Sequence, residues 1–221
     1  MKFNKTIITA IVIIVFSFVL GIVSNDIILG SLVLSSGILN IWFQVNHKSY
    51  NYIFACIYNL CNSYISYKNN LYGICIFSLI LYLPLNIIGF ISWNKNRDDN
   101  YIVIFRKYDK LKSTIIIAIS IITSFLFGLL LNINPYQKLG YLDSSSNMLN
   151  IYGIILLNKR LNEGWIVLLF NNIIDLTIWI INFIYNSPNS FMMIIVSIFY
   201  LLINIYGIYK WKNNNTLSSI K

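Results

Sequence analysis

The chain has 221 residues, of which 57% are hydrophobic and only 10% are charged. A soluble domain of this length would carry about 25% charged residues, so the composition excludes an ordinary soluble protein and indicates a polytopic membrane protein. The formal net charge of +9 does not indicate a nucleic-acid partner, because the basic residues flank the apolar segments, as membrane topology requires.

Apolar segments follow one another along the whole chain, and each is close to the ~20 residues that a spanning helix needs. They fall near residues 7–24, 27–45, 50–67, 71–93, 114–132, 142–158, 164–185 and 190–210. The first has Lys2 and Lys5 before its apolar stretch, as a signal peptide does, but no small-x-small cleavage site follows it. We therefore predict eight transmembrane helices, the first of which is retained.

The basic residues predict how these helices are oriented. With the N-terminus inside, all of the 16 Lys and Arg residues except Lys68 and Lys138 fall in cytoplasmic segments. We expect a multi-pass protein of the plasma membrane with both termini in the cytoplasm. The long segment 94–113 is expected to be a solvated cytoplasmic linker, and His47 a residue of a short cytoplasmic loop.

Two pairs of segments show an internal repeat. Residues 82–93 and 200–211 share Tyr, Leu, Asn, Ile, Gly and Trp at an offset of 118, and residues 35–42 match 145–152 at an offset of 110. Three helices cross the membrane an odd number of times, so a linking helix is needed to restore the orientation of the second unit. The sequence therefore predicts an all-α membrane protein with two parallel three-helix repeats in a 3+1+3 arrangement, plus an extra N-terminal helix.

The repeat predicts where the parts of the chain begin and end. The predicted parts are an extra helix at 1–26, a first bundle at 27–94, a loop and linking helix at 95–140, a second bundle at 141–212, and a cytoplasmic tail at 213–221.

The seventh apolar segment carries polar residues at membrane depth. Trp165, Asn172, Asp175 and Trp179 stand at i, i+7, i+10 and i+14, which places them on one stripe of a helix. A charge at a helix centre costs about 2.5–3.5 kcal/mol on insertion scales, so Asp175 indicates a functional site. We predict that this stripe forms one wall of a small-molecule site inside a transporter.

A third repeat pairing extends the candidate site into the first bundle. Tyr52, Asn59 and Asn62 stand 113 residues before Trp165, Asn172 and Asp175. Substrate sites in such folds lie near the midplane between the repeats. The substrate-binding candidates are therefore Asn172, Asp175, Asn59, Asn62, Asn86, Asn204 and Tyr52, with Trp165 beside them.

Several polar and aromatic residues have more than one interpretation. Asp175 could balance a cationic ring, be protonated, or hydrogen-bond Asn62 in the facing repeat. We expect packing roles for Tyr82, Tyr200 and Trp179. Asp143 stands at the start of the sixth segment, where a carboxylate caps a helix N-terminus and favours its dipole.

The sequence contains no Gly-rich phosphate loop, no metal-ligand cluster and no nucleophile–base set. Its three cysteines, Cys56, Cys61 and Cys75, lie in or beside apolar segments and are expected to pack. We therefore expect no enzyme activity, no cofactor and no metal.

From about residue 30 to 211 the chain carries a series of short motifs. They are 64–73, 83–89 closing on Trp93, 142–144, 159–160, 163–165, Asn172, Trp179, Tyr200, Asn204, 206–207 and Trp211. Together they resemble the PnuC-type nicotinamide riboside (nicotinamide mononucleotide) transporter family. The resemblance implies two three-helix bundles joined by a linking helix, a homotrimer, and facilitated diffusion of a vitamin precursor that a cytoplasmic kinase traps by phosphorylation.

The family's signature on the seventh helix is Trp-x-x-Trp-x-x-x-Asn, and this chain has Trp165, Leu168 and Asn172 at those positions. The resemblance implies that Trp165 stacks on the substrate ring, with cation–π attraction of about 0.5–2 kcal/mol, and that Asn172 hydrogen-bonds the substrate. Because Leu168 replaces the middle Trp, uptake of thiamine or riboflavin by the same fold is an alternative. So is a vitamin-binding subunit of an ATP-driven importer.

Overall fold

The computed structural model describes residues 2–97, 103 and 110–218, and these residues are almost entirely helical. In chain order the helices are α1 (Lys2–Val23), α2 (Leu29–Val45), α3 (Asn51–Lys68), α4 (Tyr72–Lys95), α5 (Lys110–Leu131), α6 (Gly140–Asn158), α7 (Glu163–Ile184) and α8 (Ser190–Ser218). The prediction of eight helices is confirmed for this described part of the chain. Helix α8 continues through Ser218, so most of the predicted polar tail is helical.

Helix α4 contains a π-helical stretch, Ser78–Tyr82, just before Pro84. Proline has no N–H to donate, so it removes one i→i−4 hydrogen bond from the helix interior. Single-turn π-helical bulges inside α-helices are frequent at functional sites. Here the π-helical stretch ends at Tyr82, whose side chain is buried toward the centre of the molecule.

Six of the described helices form a closed ring. Helix α2 packs on α3, α3 on α4, α4 on α6, α6 on α7, α7 on α8, and α8 packs back on α2. Helix α1 packs mainly on α2, and α5 mainly on α6. The predicted first and second bundles thus each contribute three consecutive helices to the ring, while α1 and α5 lie outside it.

Two glycines allow α6 and α7 to cross closely. A Cβ atom at Gly153 would lie 2.5 Å from the side chain of Leu168, and one at Gly164 would lie 2.7 Å from the side chain of Leu157. Small residues at helix crossings let backbones approach in membrane proteins, where van der Waals contact drives helix association. The crossing places Leu168 at the inner surface of the ring.

The described helices are apolar outside and polar inside. Many large hydrophobic side chains of α1 and α5 are exposed, whereas asparagines of the ring helices are buried. By length and composition, Tyr72–Lys95, Glu163–Ile184 and Ser190–Lys210 can cross a membrane, and shorter apolar helices span Ile7–Val23, Leu29–Val45 and Ala118–Leu131. This pattern reverses that of a soluble protein, in which asparagine is mostly exposed.

His47 lies in the predicted loop after α2 but is buried rather than solvated. Its backbone takes the left-handed conformation (φ 58°), which ends the helix, and its carbonyl accepts a hydrogen bond from the N–H of Val103 (3.3 Å). Loss of water lowers the pKa of His47 to about 4. Val103 is itself buried against the ring, so this residue of the predicted solvated linker is not solvated. Residues 98–102 and 104–109 of that linker lie outside the described residues.

Candidate substrate-binding site

A cavity lies inside the ring and is lined by side chains of all six ring helices. Eleven of the lining residues are asparagines: Asn40, Asn51, Asn59, Asn62, Asn86, Asn147, Asn150, Asn158, Asn171, Asn172 and Asn204. Each amide offers both hydrogen-bond donors and an acceptor. Among the described lining residues Asp175 is the one charged residue, and none is Lys, Arg or His. The free space is about 80 Å³, below the ~300–1,000 Å³ of typical ligand pockets.

The structure brings the predicted site residues together, with one exception. Those that line the cavity are Asn172, Asp175, Asn59, Asn62, Asn86, Asn204 and Tyr52. They come from α3, α4, α7 and α8, so both predicted bundles contribute.

Trp165 is the exception, since it does not line the cavity. Its side chain is fully buried in a cluster with Tyr52, Trp93 and Leu157. The space for its ring comes from Gly207 on α8, where a Cβ atom would lie 2.8 Å from Cζ3 of Trp165. In this structure Trp165 therefore supports the cavity wall from behind rather than offering a stacking surface.

Asn204 of α8 organises the backbone and side chains of α7. With its amide nitrogen toward the Trp165 carbonyl, Asn204 donates to that carbonyl (3.0 Å) and accepts from the N–H of Leu169 (3.1 Å) and from Nδ2 of Asn172 (2.9 Å). The carbonyl and the N–H are the two groups that a regular helix would pair with each other. Asn204 thus fixes the orientation of the Asn172 side chain at the cavity surface.

Asp175 is held by two donors from its own half of the molecule. The hydroxyl of Ser146 donates to Oδ1, and Nδ2 of Asn171 donates to Oδ2 at 2.9 Å. The hydrogen bonds described for Asp175 are these two, and neither is the alternative bond to Asn62. Asn62 instead accepts from the hydroxyl of Ser66 (3.3 Å).

The aromatic residues for which we expected packing roles also line the cavity. Tyr82, Tyr200 and Trp179 are all part of its surface, with Tyr58 beside them. The hydroxyl of Tyr82 donates to Oδ1 of Asn147 (2.6 Å). For Tyr82 and Tyr200 the sequence held a signal for this contact, because the two residues occupy equivalent positions in the repeat.

Asp143 lies in the first turn of α6, where its charge favours the helix dipole as predicted. Its side chain, however, does not cap α6. Its Oδ2 accepts from the N–H of Gly73 (3.0 Å) and its Oδ1 from that of Ile74 (2.8 Å). It therefore caps the N-terminus of α4, because the ring brings the start of α6 against the start of α4.

Sequence reasoning missed part of the lining. Asn40 and Asn150 are equivalent in the repeat at the offset of 110, which was the signal available for them. Asn171 gave no such signal, because it stands about 100° around the helix from Asn172 and off the predicted stripe. Within the described residues no group of three or more His, Cys, Asp or Glu side chains could hold a metal ion, and Cys56, Cys61 and Cys75 are free.

Comparison with known proteins gives consistent matches over most of the chain. The family model described as "Nicotinamide mononucleotide transporter" matches residues 27–213. A nicotinamide riboside transporter PnuC of Neisseria mucosa is 24% identical over 197 residues, which cover 87% of this chain and 75% of that protein. The protein of the same name from Haemophilus influenzae is 26% identical over 179 residues, covering 80% and 75%.

A solved structure has the same fold. The crystal structure of the vitamin B3 transporter PnuC superposes with a TM-score of 0.80 at 23% sequence identity and covers 92% of this chain and 88% of that one. The family model spans all six helices of the ring, and the ring encloses an amide-lined cavity among apolar helices. The chain therefore belongs to the nicotinamide mononucleotide transporter family and is a multi-pass membrane transporter, not an enzyme.

Proposed function

We propose that this chain takes up nicotinamide riboside by facilitated diffusion, and that the substrate binds in the central cavity. The observation that carries the proposal is the lining of eleven asparagines and one carboxylate. Amides match both a carboxamide and ribose hydroxyls, and a carboxylate suits the positive charge of the pyridinium ring. The relatives named for transport of this compound support the same substrate.

Within this proposal the cavity residues have distinct roles. Asn172, positioned by Asn204, and Asn59, Asn62 and Asn86 from the first bundle hydrogen-bond the polar groups of the substrate. Tyr52 joins the two bundles at the cavity wall, since its hydroxyl donates to Oδ1 of Asn158 (2.8 Å). Trp165 acts indirectly, by supporting the wall that carries Asn172.

We also propose the 3+1+3 arrangement, with bundles at 27–94 and 141–212, the linking segment at 95–140, the extra helix at 1–26 and the tail at 213–221. One pair of contacts supports it. A Cβ atom at Gly89 would collide with the ring of Tyr52, just as one at Gly207 would approach the ring of Trp165. These two glycine–aromatic pairs occupy equivalent positions in the repeat, so both bundles use the same packing between their second and third helices.

The remaining parts of the proposal concern the cell. The protein lies in the plasma membrane with both termini in the cytoplasm. The distribution of Lys and Arg supports this orientation. The family resemblance supports a homotrimer and trapping of the imported riboside by a cytoplasmic kinase. Light scattering of the purified protein measures the oligomer, and labelling of cysteines introduced at each terminus measures the orientation.

Uptake by purified protein in proteoliposomes tests the function. We expect radiolabelled nicotinamide riboside to enter without ATP and without a proton gradient. Asn172→Ala should reduce uptake about fivefold or more, since losing a buried hydrogen bond costs about 1–3 kcal/mol and 1.4 kcal/mol is a factor of ten.

Asn182→Ala is the matched control for that variant. Asn182 is a buried asparagine of the same helix, bonds the carbonyl of Ile178 (2.9 Å) and does not line the cavity. Equal uptake by the Asn172 and Asn182 variants would remove Asn172 from the site. Transport that needs ATP and a co-purifying ATPase would instead favour the vitamin-binding subunit of an importer.

A further inference from the structure

The described lining of the cavity carries a single charged side chain, which is that of Asp175. Its two side-chain partners, Ser146 and Asn171, are neutral donors, so they satisfy the carboxylate oxygens without cancelling the charge. An ionised carboxylate at membrane depth is costly unless an opposite charge meets it. The geometry leaves that role to the ligand.

Aromatic side chains line the same cavity as this carboxylate. They are Tyr58, Tyr200 and Trp179, and Trp179 stands four residues, about one helical turn, after Asp175 on α7. The rings of Tyr58 and Tyr200 stand 5.7 Å apart between centroids with their planes at 36°. A hydrogen bond from Nδ2 of Asn40 (2.7 Å) holds the hydroxyl of Tyr200. Tyr58 and Tyr200 are each only partly buried, so a ligand in the cavity can reach them.

The ring of Trp165 is not open to the cavity. Trp165 is fully buried behind the wall, and its neighbour on the cavity surface is the aliphatic Leu168. Tyr52 and Tyr82 also line the cavity but are almost fully buried, so the more accessible aromatic side chains of the lining are Tyr58 and Tyr200. Aromatic faces attract cations, and the attraction increases when water is excluded.

We propose that Tyr58, Tyr200, Trp179 and Asp175 form a cage for a permanently cationic heteroaromatic ring, and that this cage makes the transporter prefer charged over uncharged substrates of the same shape. This inference rests on the proposed function in that it concerns the same cavity. It assigns the ring to a position away from Trp165 and assigns substrate selection to charge. Pyridinium and thiazolium rings share the required chemistry.

A pair of ligands of nearly the same shape, one cationic and one uncharged, tests the cage, and the Asp175 variant separates the effect of charge from that of the ring. Nicotinamide riboside carries a cationic ring, and its dihydro form is the nearly isosteric uncharged compound. In proteoliposomes we expect the dihydro form to compete for uptake at least about tenfold more weakly, and Asp175→Asn should reduce this ratio to about threefold or less. Asp26→Asn is the matched control, since Asp26 lies outside the cavity, between α1 and α2, and should leave the ratio unchanged.

A tyrosine pair tests the aromatic part without altering the charge. Tyr200→Phe keeps the ring and should retain the preference for the cation, whereas Tyr200→Leu should weaken binding of the cation more than that of the dihydro form. If Asp175→Asn does not fold, the wild-type ratio and the Tyr200 pair carry the test. Equal competition by the two ligands in wild type, or an unchanged ratio in Asp175→Asn, would overturn the cage.

Failure of the proposed function gives a different result. If wild-type protein takes up no nicotinamide riboside, the same comparison is made by thermal shift with thiamine and its uncharged 3-deaza analogue, since a ligand of the folded state raises the melting temperature. Stabilisation by thiamine alone would support the cage and refute the riboside as substrate. Equal stabilisation by both compounds, or by neither, would overturn the cage.

Discussion

The two bundles meet along two seams that differ in chemistry. The α4–α6 seam is polar: Asp143 binds the first turn of α4, Tyr82 binds Asn147, and Asn158 binds the Leu85 carbonyl (2.8 Å). The indole N–H of Trp93 adds a bond to the Leu157 carbonyl (2.9 Å).

The α2–α8 seam rests mainly on apolar contacts of Val33, Leu34, Met193 and Val196. Between the two helices and their ends, Asn40 donates to Tyr200 and Lys210 to Asn46, at 2.7 and 2.8 Å. Nδ2 of Asn189, just before α8, also donates to Asp26, just before α2.

The difference indicates which seam can move. Hydrogen bonds are directional, and separating buried partners leaves polar groups unsatisfied, so a seam with many of them keeps its register. Apolar contacts are non-directional and tolerate sliding. We expect α4 and α6 to stay together as a fixed frame while α2 and α8 form the mobile seam that separates to enlarge the cavity. Asn40 and Tyr200 lie on this seam, so we expect ligand binding there to respond to its opening.

The largest effect is expected from breaking the polar seam at Asp143. Besides the N–H groups of Gly73 and Ile74, Asp143 accepts from Gln137 (2.7 Å) and Asn147 (2.7 Å). Asp143→Ala leaves these buried donors without an acceptor and should destabilise the protein by about 3–5 kcal/mol. Thermal unfolding of detergent-purified protein measures this loss.

Asp26→Ala provides the control for that prediction. Asp26 accepts the N–H of Gly30 (2.8 Å) at the start of α2 and a hydrogen bond from Nδ2 of Asn189. Losing two acceptor contacts instead of the four of Asp143 should cost about 1–2 kcal/mol. Similar melting temperatures for the two variants would show that Asp143 does not tie α4 to α6.

A smaller effect is expected at Asn158, on the same α4–α6 seam. Asn158→Ala removes the acceptor of the Tyr52 hydroxyl and the donor to the Leu85 carbonyl, and should cost about 2 kcal/mol. Its counterpart on the other seam, Asn40→Ala, removes a single bond to Tyr200 and should cost about 1 kcal/mol. Chemical denaturation compares the two. A larger loss for Asn40→Ala would reverse the assignment of fixed and mobile seams.

An effect that appears only at low pH is expected at His47, which lies at the end of the α2–α8 seam near Lys210. The pKa of His47 is about 4, mainly because of burial and in part because of Lys210 and Lys48, and an unfolded His has a pKa near 6.5. The unfolded state thus binds more protons between pH 6.5 and 4. Stability is fully present above pH 6.5 and falls as the pH drops through that window, by on the order of 1–2 kcal/mol at pH 5.

A non-titrating variant isolates this effect. His47→Asn keeps a side chain that tolerates the left-handed backbone at this position. The difference in melting temperature between wild type and His47→Asn should therefore change between pH 7 and pH 5. A constant difference would show that His47 does not titrate differently in the folded state.

Much of the architecture follows from local sequence. Segment length and hydropathy predict the eight described helices, because a buried backbone in lipid must satisfy its hydrogen bonds within each segment. The stripe of Asn172 and Asp175, with its counterparts Asn59 and Asn62, lines the cavity, since polar side chains among apolar helices turn inward. These predictions need only helical periodicity and the cost of placing polar groups in lipid.

The tertiary structure decided the remaining features. The sequence alone determined that the chain spans the membrane and which polar positions face inward, because hydropathy and periodicity are properties of each segment. Which aromatic side chain faces the cavity depended on another helix. Gly207 of α8 makes room for Trp165 behind the cavity wall, so Tyr58 and Tyr200 are left at the cavity surface. Likewise, Asp143 caps α4 because the closed ring brings two helix ends together, and such contacts between distant segments have no local signal in the sequence.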